Sequence, residues 1–214
     1  MAKAPNGPHG PVTGKIGNVS YYLLNGEYIA RSLPEKKKRR KTAKVIANEA
    51  RFACVQNFLK PLKAFLAVGF KNYGSKRGGL TAAVSYALNN AVSGAYPDFL
   101  VNPYLVRVSG GELYFPEFSE VLLEAGNQLR FSWDINTDGL CSAYDQAMLL
   151  AYNVSGKKAV SKVTGAFRMD GTDILTLPKS KKDQEFEVYL GFVSQDRSAQ
   201  AHSVYLGKVF VPKI

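Results

Sequence analysis

Apolar positions change their spacing along this chain, and each spacing predicts a different element. Residues 19–24 (VSYYLL) and 27–33 (EYIARSL) are β-branched and aromatic runs separated by Asn25-Gly26. Asn-Gly supplies the two positive φ angles of a type I′ turn, so the pair predicts a β-hairpin, ended by Pro34. From Thr42, a residue suited to cap a helix, Val45, Phe52, Val55, Leu59, Leu62 and Leu66 recur at steps of three, four and seven, with Ile46 and Phe65 beside them. That is one apolar stripe of a helix. Pro61 cannot sit inside an unbroken helix, which must kink there or restart with Pro61 in a first turn. Gly69 and Gly74 close the pattern, residues 74–79 (GSKRGG) form a basic loop, and residues 80–92 (LTAAVSYALNNAV) predict a second, short helix stopped by Gly94 and Pro97.

Beyond Pro97 the period becomes two. Strands are predicted at 104–108, 128–133, 148–152, 159–163, 173–177, 186–194 and 203–211, with turn residues between them. Seven short strands of this kind predict an immunoglobulin-like antiparallel β-sandwich, with Trp133 as a core residue of a central strand. The Cys…Trp…Cys spacing of an antibody domain is absent, so the expectation concerns architecture alone. The fold class is therefore α+β. Residues 1–41 are read as a flexible arm, the hairpin and a basic linker, residues 42–97 as a helical segment, and residues 98–214 as the sandwich.

Composition sharpens this picture through charge. Residues 1–97 hold 16 Lys and Arg against 3 Asp and Glu, a net +13, whereas residues 98–214 hold 12 against 14, a net −2. Positive charge confined to one half points to a polyanionic partner for that half. Six consecutive cations, Lys36, Lys37, Lys38, Arg39, Arg40 and Lys41, run into the first helix, whose polar side carries Lys44 and Arg51; Lys76 and Arg77 add a glycine-flanked cluster. These ten residues are the candidate nucleic-acid-binding set. No base-reading motif surrounds the arginines, so the expected contact is with phosphates rather than with sequence. Tyr21, Tyr22 and Tyr28 could stack on unpaired bases, but alternate aromatics on a hairpin more commonly pack it against another layer.

The residues 14–19 (GKIGNV), the Asn25-Gly26 hairpin ending in Arg31-Ser32-Leu33-Pro34, Arg51-Phe52, Pro61-Leu62-Lys63 and Gly69-Phe70 form a set of motifs. Tyr96-Pro97-Asp98-Phe99, residues 188–194 (VYLGFVS) and residues 203–207 (SVYLG) extend it across nearly the whole chain. In these motifs the chain resembles a bacterial family of unknown function with phage-like relatives. The resemblance implies a layout of N-terminal hairpin, helical segment and C-terminal β-sandwich, and it carries no activity. The linker at Lys36 to Lys41 is more basic than the family's pattern.

Catalytic and metal chemistries lack their residues. His9 falls in the glycine- and proline-rich lead-in and His202 in a predicted strand, so neither is placed to activate Cys54 or Cys141. Two Cys and two His scattered along the chain do not give zinc-ligand spacing, and both thiols are expected to be reduced. Gly10 to Lys15 is one residue short of a phosphate loop and places Ile16 where a Ser or Thr would hold magnesium. Glu117, Glu120 and Glu124 read as solvated edge charges. Asp134, Asn136, Asp138, Ser142 and Asp145 fall at positions one, three, five, nine and twelve of a calcium loop, with Gly139 at six. The flanks look like strands, position twelve is Asp rather than Glu, and a tight interstrand turn selects the same residues.

The expectation is a non-enzymatic architectural protein that binds nucleic acid or another polyanion and forms a homo-oligomer, with no cofactor. The alternatives are a self-assembling subunit of a filament or particle, and a calcium-dependent β-sandwich module. The first residues lack the apolar core of a secretory signal, and no run is long and apolar enough to span a membrane, so a cytoplasmic location is expected.

Overall fold

The computed structural model describes residues 2–4, 7, 10–24, 26–34, 40–73, 78–135 and 141–213. The chain forms two compact units, Met1–Thr42 and Ala43–Ile214.

The first unit is a three-stranded antiparallel sheet in the order β1 (Gly14–Ile16), β2 (Val19–Leu24), β3 (Glu27–Ser32). The predicted hairpin forms with Leu24 opposite Glu27 and Val19 opposite Ser32. Gly26 has φ 87°, as the tight turn demands; Asn25 lies outside the described residues. The additional strand comes from the glycine-rich lead-in, which turns back at Gly17 with φ 52°. Lys3 and Thr13 exchange both backbone hydrogen bonds, at 2.7 and 2.8 Å, so part of the expected flexible arm is paired. Strand alternation places Ile16, Val19, Tyr21, Leu23, Tyr28 and Ala30 on one face.

The second unit begins with α1 (Ala43–Leu59), a 3₁₀ turn (Lys60–Leu62) and α2 (Lys63–Gly69). Pro61 occupies the first turn of this restart, where its missing N–H breaks no bond. α3 (Gly79–Asn90) follows, then the short pair β4 (Val92–Ser93) and β5 (Leu100–Val101). The predicted strand at 104–108 does not form. Pro103 opens a 3₁₀ turn there, with the Asn102 side chain accepting a hydrogen bond from the Tyr104 N–H.

Seven strands complete the chain: β6 (Ser119–Glu124), β7 (Gln128–Trp133), β8 (Gln146–Asn153), β9 (Lys158–Lys162), β10 (Thr172–Thr176), β11 (Gln184–Val193) and β12 (Val204–Val211). They make two antiparallel sheets, β10-β7-β6 and β12-β11-β8-β9. This is the immunoglobulin-like arrangement, with the fourth strand paired to the third rather than to the fifth.

The central sheet is covered on both sides. Ala147, Leu149, Ala151, Val188, Leu190 and Phe192 face a core with Leu129, Phe131, Trp133 and Leu175 of the opposite sheet. Met148, Leu150, Tyr152, Tyr189 and Val193 face the helices, where Val55, Phe58, Leu59, Leu62, Phe65, Leu66 and Ala83 are buried. This explains why β8 and β11 read as continuous apolar runs: a strand with two buried faces has no polar alternation. The helical segment and the sandwich thus bury their apolar surfaces in a common core. The apolar stripe of α1 splits in two, with Val55 and Leu59 fully buried while Val45, Ile46 and Phe52 remain exposed.

Candidate polyanion interface

Val55, Phe58, Leu59, Leu62, Phe65 and Leu66 are buried toward the sheet, while Lys44, Lys60, Lys63 and Lys71 are exposed. Among the described residues none of these four lysines has a carboxylate partner. Several cations of the sandwich do. Arg130 lies 2.5 Å from Glu124, Lys162 2.6 Å from Asp173, and Lys208 3.1 Å from Glu185.

Of the ten residues singled out from sequence, Arg40, Lys41 and Lys44 are exposed. Lys36, Lys37, Lys38, Arg39, Lys76 and Arg77 lie outside the described residues. Arg51 has a structural job: its half-buried guanidinium donates through Nη2 to the carbonyl of Leu88, one of the last carbonyls of α3, which otherwise lack a partner within the helix. It ties α1 to α3 and offers correspondingly less to a ligand.

A groove of about 440 Å³ opens where the 3₁₀ turn approaches the β8–β9 turn; it is lined by Asn57, Lys60, Pro61 and Lys157. Sequence reasoning missed this pairing of Lys60 with Lys157, although Lys157 stands in an obvious turn, residues 153–158 (NVSGKK).

Two of the calcium-loop residues, Asp134 and Asp145, accept backbone hydrogen bonds. Asp134 Oδ1 accepts the Phe118 N–H at 3.3 Å, and Asp145 Oδ2 accepts the Ser142 N–H at 2.9 Å. Asp145 is buried beside Arg168, whose Nε is 3.6 Å from Oδ2, so the nearest charge is already a cation. Burial pushes the Asp145 carboxyl above the usual carboxylate range, against the opposing pull of the Ser142 N–H and Arg168. Among the described residues no three His, Cys, Asp or Glu groups cluster as metal ligands; Asn136 and Asp138 lie outside them.

Arg168 itself escaped the sequence reading, which had no signal for a fully buried arginine. Its Nη2 donates to the Tyr114 carbonyl at 2.9 Å, and its guanidinium carbon sits 4.2 Å from the Phe192 ring centre. Its carbonyl accepts the Trp133 indole N–H at 2.9 Å, pinning the sole tryptophan.

Cys54 and His202 each have partners within the fold. The Cys54 thiol donates to the Phe99 carbonyl at 3.3 Å, and burial pushes its pKa up, the opposite of an activated thiolate. His202 lies ahead of β12 rather than within a strand, on a cleft of about 560 Å³ that also includes Tyr73, Glu112 and Gln200. Its Nδ1 accepts the Gly111 N–H at 3.3 Å and its Nε2 faces Arg107 Nη1 at 3.3 Å. Burial, followed by the Arg107 charge, lowers its pKa, so the imidazole is held neutral.

The chain belongs to the family of unknown function DUF6266, whose model matches residues 11–207. No curated protein and no solved structure matches it. Among the described residues no helix is long and apolar enough to cross a membrane.

Proposed function

We propose that this is a non-enzymatic architectural protein whose basic half grips nucleic acid or another polyanion. The observation that carries the reading is the contrast in charge pairing. Among the described residues Lys44, Lys60, Lys63 and Lys71 of the helical layer stand exposed without carboxylates, while the sandwich places Arg130, Lys162 and Lys208 against acids. Unpaired positive charge on one layer raises the local concentration of polyanions and takes up their phosphates with release of counterions. Lys36 to Lys41, Lys44, Lys76 and Arg77 are the proposed contacts, with Arg51 contributing mainly to the fold.

The test is binding of labelled nonspecific DNA and RNA at low salt by the intact protein and by a variant with Lys36 to Lys41 replaced by Gln. Binding by the intact protein that weakens strongly in the variant supports the reading. Equal binding by both removes the role given to those six residues, and no binding by either refutes the function.

A second reading, self-assembly, is favoured by the N-terminal sheet. Its apolar face carries Leu23 and Tyr28, each 54% exposed, and a small sheet with an uncovered apolar face is not stable by itself in water. The proposed cover is a second copy's β6 surface. There Phe118, Leu122 and Leu123 are exposed, an apolar surface that another copy's sheet would bury. Sedimentation of nucleic-acid-free protein tests this reading. Oligomers that dissociate in Leu23→Ser/Tyr28→Ser support it, and a monomer at every concentration overturns it.

A further inference from the structure

We infer that the groove at Asn57, Lys60 and Lys157 is a phosphate-binding subsite, so that the β8–β9 turn of the sandwich joins the helical layer in holding the polyanion. This rests on the polyanion reading and adds to it a site on the sandwich half, whose net charge is negative.

The groove's lining is one-signed. Lys60, Lys157 and Asn57 line about 440 Å³ together with Pro61, and no acidic residue is among the described lining residues. Two like charges facing one concavity repel each other, and an anion seated between them converts that repulsion into attraction. An ammonium group is a compact donor suited to phosphate oxygens, and an amide N–H₂ adds a neutral one.

Both walls are held in place. Leu59 and Leu62, on either side of Lys60 and Pro61, are 0% and 1% exposed, and the Pro61 ring fixes the backbone of the 3₁₀ turn. Across the groove, the buried Asn153 accepts the Gly156 N–H on its Oδ1 at 2.6 Å, and the Lys157 N–H donates to the Val154 carbonyl at 3.3 Å. Lys157 has φ 50°, a left-handed conformation that glycine or asparagine adopts with less strain. Five residues on, Lys162 is paired with Asp173 at 2.6 Å, whereas Lys157 has no carboxylate partner among the described residues.

The test compares Lys60→Gln/Lys157→Gln with Lys179→Gln/Lys181→Gln, which removes the same charge from exposed positions elsewhere. Each intact protein is titrated with labelled duplex DNA over a range of salt, after thermal melts confirm that it is folded. The groove variant should bind about tenfold more weakly at 0.1 M salt and show a salt slope shallower by about 1.8, from two phosphate contacts at ~0.9 each. The control should stay within about twofold of the parent. Equal effects of the two variants, or an unchanged groove variant, overturn the inference while leaving the polyanion reading intact. If the parent binds no nucleic acid, that reading fails and inorganic pyrophosphate judges the groove by itself. Saturable NMR shifts at the Asn57 and Gly156 amides, absent in the groove variant, sustain the subsite, and an unshifted spectrum removes it.

Discussion

Replacing Phe58 with alanine would cut the clearest contact between the helical layer and the sheet beneath it. Phe58 is 7% exposed on α1, and its ring meets Tyr152 of β8 edge-on at 5.1 Å between centres. Truncating a buried Phe costs about 3–5 kcal/mol, of which the aromatic pairing accounts for roughly 0.5–1.5 kcal/mol. For a unit of this size each kcal/mol shifts Tm by about 2–4 °C, so a fall of roughly 6–20 °C is expected. The informative part is which signals move. The helices report through circular dichroism at 222 nm, and the sole tryptophan, Trp133, reports from the core on the far side of the central sheet. If helices and sandwich bury a common core, both transitions must shift together by the same amount. A helical signal that melts early while Trp133 fluorescence keeps its parental midpoint would refute that reasoning and make the helices a separable appendage.

Three further outcomes follow from particular contacts. His202 has a lowered folded pKa, so its neutral form is favoured in the fold; that contribution is complete above about pH 6.5 and is lost as pH falls through the folded value. Melting temperatures measured from pH 7 to 5 should therefore fall less steeply in His202→Gln than in the parent, and parallel profiles would contradict the assignment. A Cβ at Gly111 would lie 2.0 Å from the Gln200 carbonyl oxygen, whereas one at Gly78 meets nothing within 4 Å. Gly111→Ala should thus lose at least about 2 kcal/mol in denaturant titrations and Gly78→Ala well under about 1 kcal/mol, the reverse ranking being fatal to the local packing. Arg168→Met should cost about 3–5 kcal/mol, because it leaves Asp145 buried without its counter-charge and the Tyr114 carbonyl without its donor. A loss under about 1 kcal/mol by chemical denaturation would show that the pair contributes little.

Much of the fold was legible because local chemistry and tertiary packing agree. Asn25-Gly26 announced the hairpin, Pro61 the break between α1 and α2, and short apolar runs most of the sandwich strands. Where they disagree the reading failed. β6, SEVLLE, carries two glutamates in an edge strand, so its acids were read and its strand was not. Residues 104–108 are apolar enough for a strand, but Pro103 favours a tight turn ahead of them. The covering of the central sheet by helices could have been suspected from the unbroken apolar run of β8, since alternation vanishes only when both faces are buried. The site was less legible than the fold. Clusters of cations adjacent in sequence were easy to see, but Lys60 and Lys157 meet only because a helix lies across a sheet. Arg51 looked like part of a basic stripe and is instead bonded to the end of α3. Arg168 gave no sign of burial because its stabilising partners, Asp145, Tyr114 and Phe192, come from three separate elements.

The most direct test of the polyanion account is the dependence of duplex affinity on salt for the unaltered protein. The six contacts of Lys36 to Lys41 alone predict a slope of log K against log salt of about −5 or steeper, and a loss of at least about 10³ in affinity between 50 and 200 mM. Affinity that is undetectable at 50 mM, or that stays flat across that range, would contradict it.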